Sequence, residues 1–246
     1  MQSYMSLARR EKSTGRHDLL RVIAPKNEKL KIKFINGTSR STAQKGSAIF
    51  SLSLRLYNEP EELVEAVKLT LQTFESCEFV ISDSLHRYNY LWQRDMTPEN
   101  AYSAAIQEGD NWIAWFCSLQ GLSSLDIKII RWDYWLQHPL FEEQQTIVEN
   151  IYAKNQAFAF SIQESIELYL SRYAKSSPSF EITKARQASI ALVKEEVAVL
   201  LIQAKLDYAF EVFIEQRNPG LQYFYRQILW KKFPALLQPA LIKVTL

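Results

Sequence analysis

Two hydroxyls and two carboxylates stand out as groups that could do chemistry. Ser51 and Ser53 alternate at the end of the apolar run SAIFSLSL (47–54), and Glu195 and Glu196 lie side by side in LVKEEVAVLL (192–201). A serine at a strand end can face a cleft and accept an acyl group, although a small residue there also serves simply to bond the backbone. At helical spacing Leu192, Val193, Val197, Leu200 and Leu201 take the buried side, so one glutamate must stand at its border. A carboxylate there is costly without a partner. A third polar group, Asp83-Ser84 with His86, Arg87 and Asn89, follows directly on the apolar Phe79-Val80-Ile81. Asp83 or Ser84 can cap the helix that follows. The position is suggestive, because open α/β sheets bind ligands beyond the carboxyl ends of their strands.

Several familiar sites are absent from the sequence. No G-x-x-x-x-G-K-[ST] or G-x-G-x-x-G occurs, and six glycines leave little material for a phosphate cradle. Around Ser53 the chain reads Ser51-Leu52-Ser53-Leu54-Arg55, without the glycines of a hydrolase elbow. With three histidines, a Ser-His-Asp triad would have to use His86 or His138. Cys77 and Cys117 are the only cysteines and show no ligand spacing, so no disulfide framework or zinc site is expected and a cytoplasmic setting is the default. No apolar run is long enough to cross a bilayer. Net charge is only +2, but basic residues crowd the N-terminus (Arg9, Arg10, Lys12, Arg16, Arg21, Lys26) and recur at Arg226, Lys231 and Lys232.

The elements that must position these groups follow from periodicity. Strands are expected at 29–35 (alternating, an edge), 47–54, 79–81, 126–132 and 208–214, with a further one at 240–246. Helices are expected at 59–74, after 83, at 98–119, and at about 140–154, 156–174 and 184–205, with a late one over 221–233. Alternation of strands and helices implies one α/β domain over 29–246, its mainly parallel sheet covered by helices on both faces, behind a basic segment at 1–28.

In this order, the segments resemble the tRNA-dependent cyclodipeptide synthases, whose Rossmann-like fold is similar to the catalytic domain of class I aminoacyl-tRNA synthetases. Ser51-Leu52-Ser53 matches the family's strand ending in G-[LVI]-S. VISDSLHRYN (80–89) matches its apolar strand, Ala-Asp-Thr and basic helix start, and Arg131-Trp132-Asp133 its Arg-Trp-Asp. Leu192 to Ala198 matches Tyr-[LVI]-x-x-Glu-x-Pro, and FEVFIEQRNP (210–219) the strand ending in Val-Tyr. The chain departs from the pattern at Ser51 for glycine, Leu56 for asparagine, Leu192 and Phe213 for tyrosines and Ala198 for proline. It also lacks the basic helix of some members, since residues 97–116 contain no Lys or Arg.

The resemblance implies a cofactor-free and metal-free aminoacyltransferase. Its partners would be two aminoacyl-tRNAs, joined into a cyclic dipeptide through aminoacyl- and dipeptidyl-serine intermediates by a monomer or weak dimer. It makes Ser53 the nucleophile and Glu196 the carboxylate that serves the substrate amine. Ser51, Asp83, Leu192, Glu195 and Phe213 would border the substrate, with Glu195 at the surface or pocket rim. A carboxylate in the pocket, Glu195 or Glu211, would suit a cationic side chain. An inactive RNA-binding or scaffold protein on the same fold, and a transferase or hydrolase pairing Ser53 with His86, are the alternatives.

Overall fold

Short apolar runs bounded by polar turns become the strands of one sheet. The structure is a computed structural model that describes residues 30–34, 46–54, 60–176, 180–206, 208–213, 219–229 and 238–244. Strands β1 (Leu30–Phe34), β2 (Ser47–Leu52), β3 (Ser76–Ile81), β4 (Lys128–Arg131), β5 (Phe210–Phe213) and β6 (Gln238–Val244) lie in the order β1-β6-β5-β2-β3-β4. β2 pairs in parallel with both β3 and β5, and β4 and β6 extend the parallel set on either side. β1 closes the edge, antiparallel to β6, where the alternating run at 29–35 was expected. The basic segment 1–28, Leu56, Lys231 and Lys232 lie outside the described residues.

Helices cover both faces of this sheet. They are α1 (Pro60–Thr73), α2 (Arg87–Gln93, after a 3-10 turn at Ser84–His86), α3 (Pro98–Ser118), α4 (Trp132–Leu136), α5 (Phe141–Lys154), α6 (Gln156–Ser176), α7 (Ile182–Lys205) and α8 (Pro219–Tyr223), which runs into a π-helical stretch at Phe224–Leu229. Side chains of a strand alternate between faces. Ala48, Phe50, Leu52, Phe79, Ile81 and Val212 therefore pack on Leu63 and Val67 of α1 and on Trp112 and Phe116 of α3. Ile49, Val80 and Ile130 pack on Trp132 and Trp135 of α4 and on Val199 and Ile202 of α7. The far side of α7 meets Val148 of α5 and Phe158, Ile162 and Ile166 of α6. Covered on both sides, α7 is buried all round from Val197 to Ala204, as its apolar run over Val197–Ile202 requires.

Two local expectations are corrected. The strand expected at 126–132 is shorter, because Trp132 begins α4 and its N–H donates 3.2 Å to Asp83 Oδ1. Neither Asp83 nor Ser84 caps a helix with its side chain. A capping residue ordinarily has an extended backbone, whereas Asp83 is already helical at φ −66°, ψ −62°, and Ser84 lies inside the 3-10 turn. The carboxylate of Asp83 points across the sheet end instead.

Candidate active site

The strand order sets the place where a ligand can enter. From β2 the chain proceeds outward to β3 and β4, then returns to build β5 and β6 on the other flank of β2. β2 and β5 therefore border the topological switch point, where the crevice beyond the strand ends opens. Ser53 is the first residue past β2, half-buried, and the strand end is tied down by Ser82 N–H donating 3.0 Å to the Leu52 carbonyl.

Two residues before Ser53, one sheet face carries Ser51 beside Glu211. Ile49 is in register with Glu211 of β5, so Ile49, Ser51 and Glu211 share that face. Ser51 Oγ donates 3.0 Å to Glu211 Oε1. Glu211 is 2 % exposed. Its carboxyl is pushed well above the usual carboxylate range, first by burial and then by the charge of Glu196, with the Ser51 hydrogen bond opposing. The charge of Glu196, on α7, is thus felt at Glu211. The helix descends toward the amino ends of the strands, since it leads into β5, and its Val199 and Ile202 pack beside Ile49. Glu196, one turn earlier, lies ~5 Å nearer the carboxyl ends, comparable with the ~6.6 Å step from Ile49 to Ser51. Leu192 lies a further turn up α7, half-buried between two core clusters, and Phe213 is the buried last residue of β5.

Glu195 has a different setting. Expected at the surface or pocket rim, it is 3 % exposed and tied within the protein. Successive helical residues point about 100° apart, which turns Glu195 away from Glu196 and toward α2 and α4. Its Oε1 accepts Arg87 Nη1 at 3.0 Å and Trp132 Nε1 at 2.9 Å. Its Oε2 accepts the Tyr88 hydroxyl at 2.8 Å and Arg87 Nη2. Burial works against the Arg87 charge, but the Glu195 carboxylate more than offsets it and raises the guanidinium pKa. Burial and the Glu195 charge also push the Tyr88 phenol up. Arg87 Nη1 further donates 2.9 Å to the Ser84 carbonyl, so the turn after β3 is fastened to α7.

Asp83 is a second framework carboxylate. Fully buried, it accepts Arg131 Nε at 2.6 Å besides the Trp132 N–H. Arg131 also binds Asp110 and donates 3.0 Å to the Ile106 carbonyl of α3. Gly109 permits this approach, because a Cβ there would stand 2.6 Å from the Asp83 Cβ and 2.9 Å from Arg131 Nη2. His86 is nearly buried in the 3-10 turn. Sequence reasoning assigned no role to Arg87, Tyr88 or Arg131. The visible signal was their place at or shortly beyond the carboxyl ends of two apolar strands. Among the described residues no group of three or more His, Cys, Asp or Glu side chains could hold a metal ion, and no helix is long and apolar enough to cross a membrane.

Neither a scan of protein-family models nor a search of curated protein sequences finds a match. Solved structures do match. A cyclodipeptide synthase from Fluoribacter dumoffii superimposes with a TM-score of 0.77 at 24 % identity, over 88 % of this chain and 98 % of that one. A Mycobacterium tuberculosis protein, described as demonstrating that cyclodipeptide synthetases are related to type I tRNA synthetases, gives 0.65 at 12 % identity, over 89 % and 94 %. A cyclodipeptide synthase from Candidatus Glomeribacter gigasporarum, solved bound to Phe-tRNA, gives 0.57 at 19 % identity, over 81 % and 88 %. At such identities the likeness establishes the fold, and the expected Rossmann-like architecture is the one these proteins share.

Proposed function

We propose that this chain is a tRNA-dependent cyclodipeptide synthase, with Ser53 as acyl acceptor and Glu196 as the carboxylate that holds the substrate amine. The observation that supports the reading is a serine just past the end of β2, beside the switch point, with Glu211 of β5 bonded to Ser51 two residues before it and the charge of Glu196 on α7 felt at Glu211. The shared fold and the tRNA bound to one of its representatives support aminoacyl-tRNA as the substrate. The α3 helix, without Lys or Arg over 97–116, leaves phosphate contacts to the basic residues of 1–28 and to Lys231 and Lys232.

The chemistry calls for no external activation, because an aminoacyl ester is already activated. Ser53 Oγ adds to the ester carbonyl. Its bond to that carbon forms, the bond to the terminal ribose oxygen breaks, and the ribose oxygen takes the proton. The amine of aminoacyl-Ser53 then attacks the ester of a second aminoacyl-tRNA, forming an amide and releasing that tRNA. The new terminal amine finally attacks the carbonyl held by Oγ, which closes the diketopiperazine and returns the proton to Ser53. A covalent intermediate divides one demanding condensation into exchanges of this kind. A free α-amine has a pKa near ~8, so Glu196 can bind its ammonium form, orient it and take its proton.

Intact-protein mass after brief exposure to a mixture of aminoacyl-tRNAs tests the assignment. One aminoacyl increment is expected on the native chain and none on Ser53→Ala, with a cyclic dipeptide among the small products. Undiminished product formation by Ser53→Ala overturns it.

A further inference from the structure

Glu196 rides on α7, and the apolar faces of that helix do not by themselves specify its height against the sheet. The helix runs unbroken from Ile182 to Lys205. Ala198 occupies the place of the proline in the Tyr-[LVI]-x-x-Glu-x-Pro pattern, so no proline kink fixes the turn that bears Glu196. Val197, Leu200 and Leu201 pack toward the outer helices, and Val199 and Ile202 toward the sheet, by contacts that carry no direction. Glu195 is the buried charge of this helix, and it has fixed partners.

We propose that Glu195 is a positioning residue for acyl transfer: clamped by Arg87, Tyr88 and Trp132, it fixes the height and rotation of α7 so that Glu196 meets the substrate amine. The proposal rests on the reading of Ser53 as acyl acceptor and of Glu196 as the carboxylate that holds the amine. Three observations carry it. Both oxygens of Glu195 are held, Oε1 by Arg87 Nη1 at 3.0 Å and Trp132 Nε1 at 2.9 Å, and Oε2 by the Tyr88 hydroxyl at 2.8 Å and Arg87 Nη2. A carboxylate gripped at both oxygens is fixed in orientation as well as in place. The donors belong to the frame that also carries Ser53. Arg87 and Tyr88 open α2 after the turn that leaves β3, and Trp132 follows the last residue of β4. β3 in turn pairs with β2 up to Leu52↔Ile81, one residue before Ser53. Finally, Glu195 and Glu196 are neighbours on one rigid helix, with a rise of about 1.5 Å between them. Any slide or rotation of α7 that the clamp prevents at Glu195 it also prevents at Glu196.

The test follows single-turnover transfer from a mixture of aminoacyl-tRNAs, read as the Ser53 mass increment and the cyclic dipeptide released. It is run at a temperature where circular dichroism shows each variant fully folded. Glu195→Gln should slow transfer about tenfold to a hundredfold, the effect of displacing a catalytic group by about 1 Å, while affinity for the uncharged tRNA mixture stays near that of the native chain. The decisive comparison is made in the Glu196→Gln background. There Glu195→Gln should slow transfer little further, because the group it positions has already lost its charge. A purely structural role would cost the same in both backgrounds. Should Glu195→Gln fail to fold, Trp132→Phe and Tyr88→Phe each remove one donor, keep the ion pair, and should slow transfer severalfold on the same pattern. Equal losses in the two backgrounds, or native rates in the folded variants, overturn the proposal while leaving Ser53 and Glu196 in their roles. A native rate in Glu196→Gln, or acylation from none of the mixture, overturns the underlying reading and the proposal with it.

Discussion

Replacing Glu195 by glutamine removes the anchor of three elements at once. The carboxylate is almost fully buried, with a side-chain exposure of 4 % against 19 % for Arg87, and it accepts hydrogen bonds from Arg87, Tyr88 and Trp132. Breaking a buried pair by removing one charge costs about 3–5 kcal/mol. Arg87 retains some access to water and its bond to the Ser84 carbonyl, which favours the lower end, ~3 kcal/mol. For a chain of 246 residues this corresponds to a melting temperature lower by about 6–12 °C. Glu65→Gln is the control, since its pair with Lys68 is 63 % and 38 % exposed, and such pairs contribute about 0–1 kcal/mol. Urea unfolding of both variants, read as a change in midpoint at constant m-value, compares the two directly. In a double-mutant cycle, Arg87→Met with Glu195→Gln should cost clearly less than the sum of the single changes. A loss at Glu195 no larger than at Glu65 would refute the argument that this carboxylate anchors α2 and α4 to α7.

The other predictions concern the two remaining carboxylates. Glu196→Gln should slow acyl transfer or amine attack by about tenfold to a hundredfold with tRNA binding little changed, as single-turnover rates and a binding titration would show; an effect on binding alone would argue against the amine role. Glu211 predicts a pH dependence of stability. Its folded-state pKa is raised above the ordinary 4.5 by burial and by Glu196, so below 4.5 both states bind the proton and its contribution is whole. As pH rises, the unfolded state ionises first and stability is lost, by up to about 1.4 kcal/mol per pH unit, until the folded carboxyl also titrates. Urea midpoints between pH 5 and 8 should therefore fall more steeply for the native chain than for Glu211→Gln, and parallel profiles would count against a buried proton on Glu211.

Much of the fold was legible because its signals are local. Apolar runs such as Ala48-Ile49-Phe50 and Phe79-Val80-Ile81 read as central strands of a covered sheet, and LVKEEVAVLL read as a helix with one buried side, whereas its burial on every side from Val197 to Ala204 is set by the sheet and the outer helices together. What failed was decided from afar. The end of β4 and the start of α4 are set by Asp83, 49 positions away from Trp132. The setting of Glu195 is decided by Arg87, 108 positions away. No window of sequence contains such a pair, so Glu195 read as a rim residue and Arg87 as part of a polar helix start. Glu211 was more accessible to reasoning, being a lone charge within the buried strand Phe210–Phe213.

The adjacent glutamates of α7 can then be understood together. Catalysis by positioning is sensitive to small displacements, and about 1 Å of misplacement can cost a hundredfold. Glu196 stands on a helix whose smooth apolar surface would tolerate slight rotation or sliding between the sheet and the outer helices. Packing alone specifies such a register weakly, whereas an ion pair with fixed partners specifies it sharply. Glu195 supplies that reference. Through Arg87 and Ser84 it is bonded to the turn that leaves β3, and through Trp132 to the helix that leaves β4. β3 is in turn paired along its length with β2, whose end carries Ser53. The serine and the carboxylate proposed to hold its substrate's amine are thus both referenced to the carboxyl end of one sheet. For that reason a change at Glu195, which faces away from Ser53, should lower the acyl-transfer rate as well as stability, and should do so even at temperatures where the variant is fully folded.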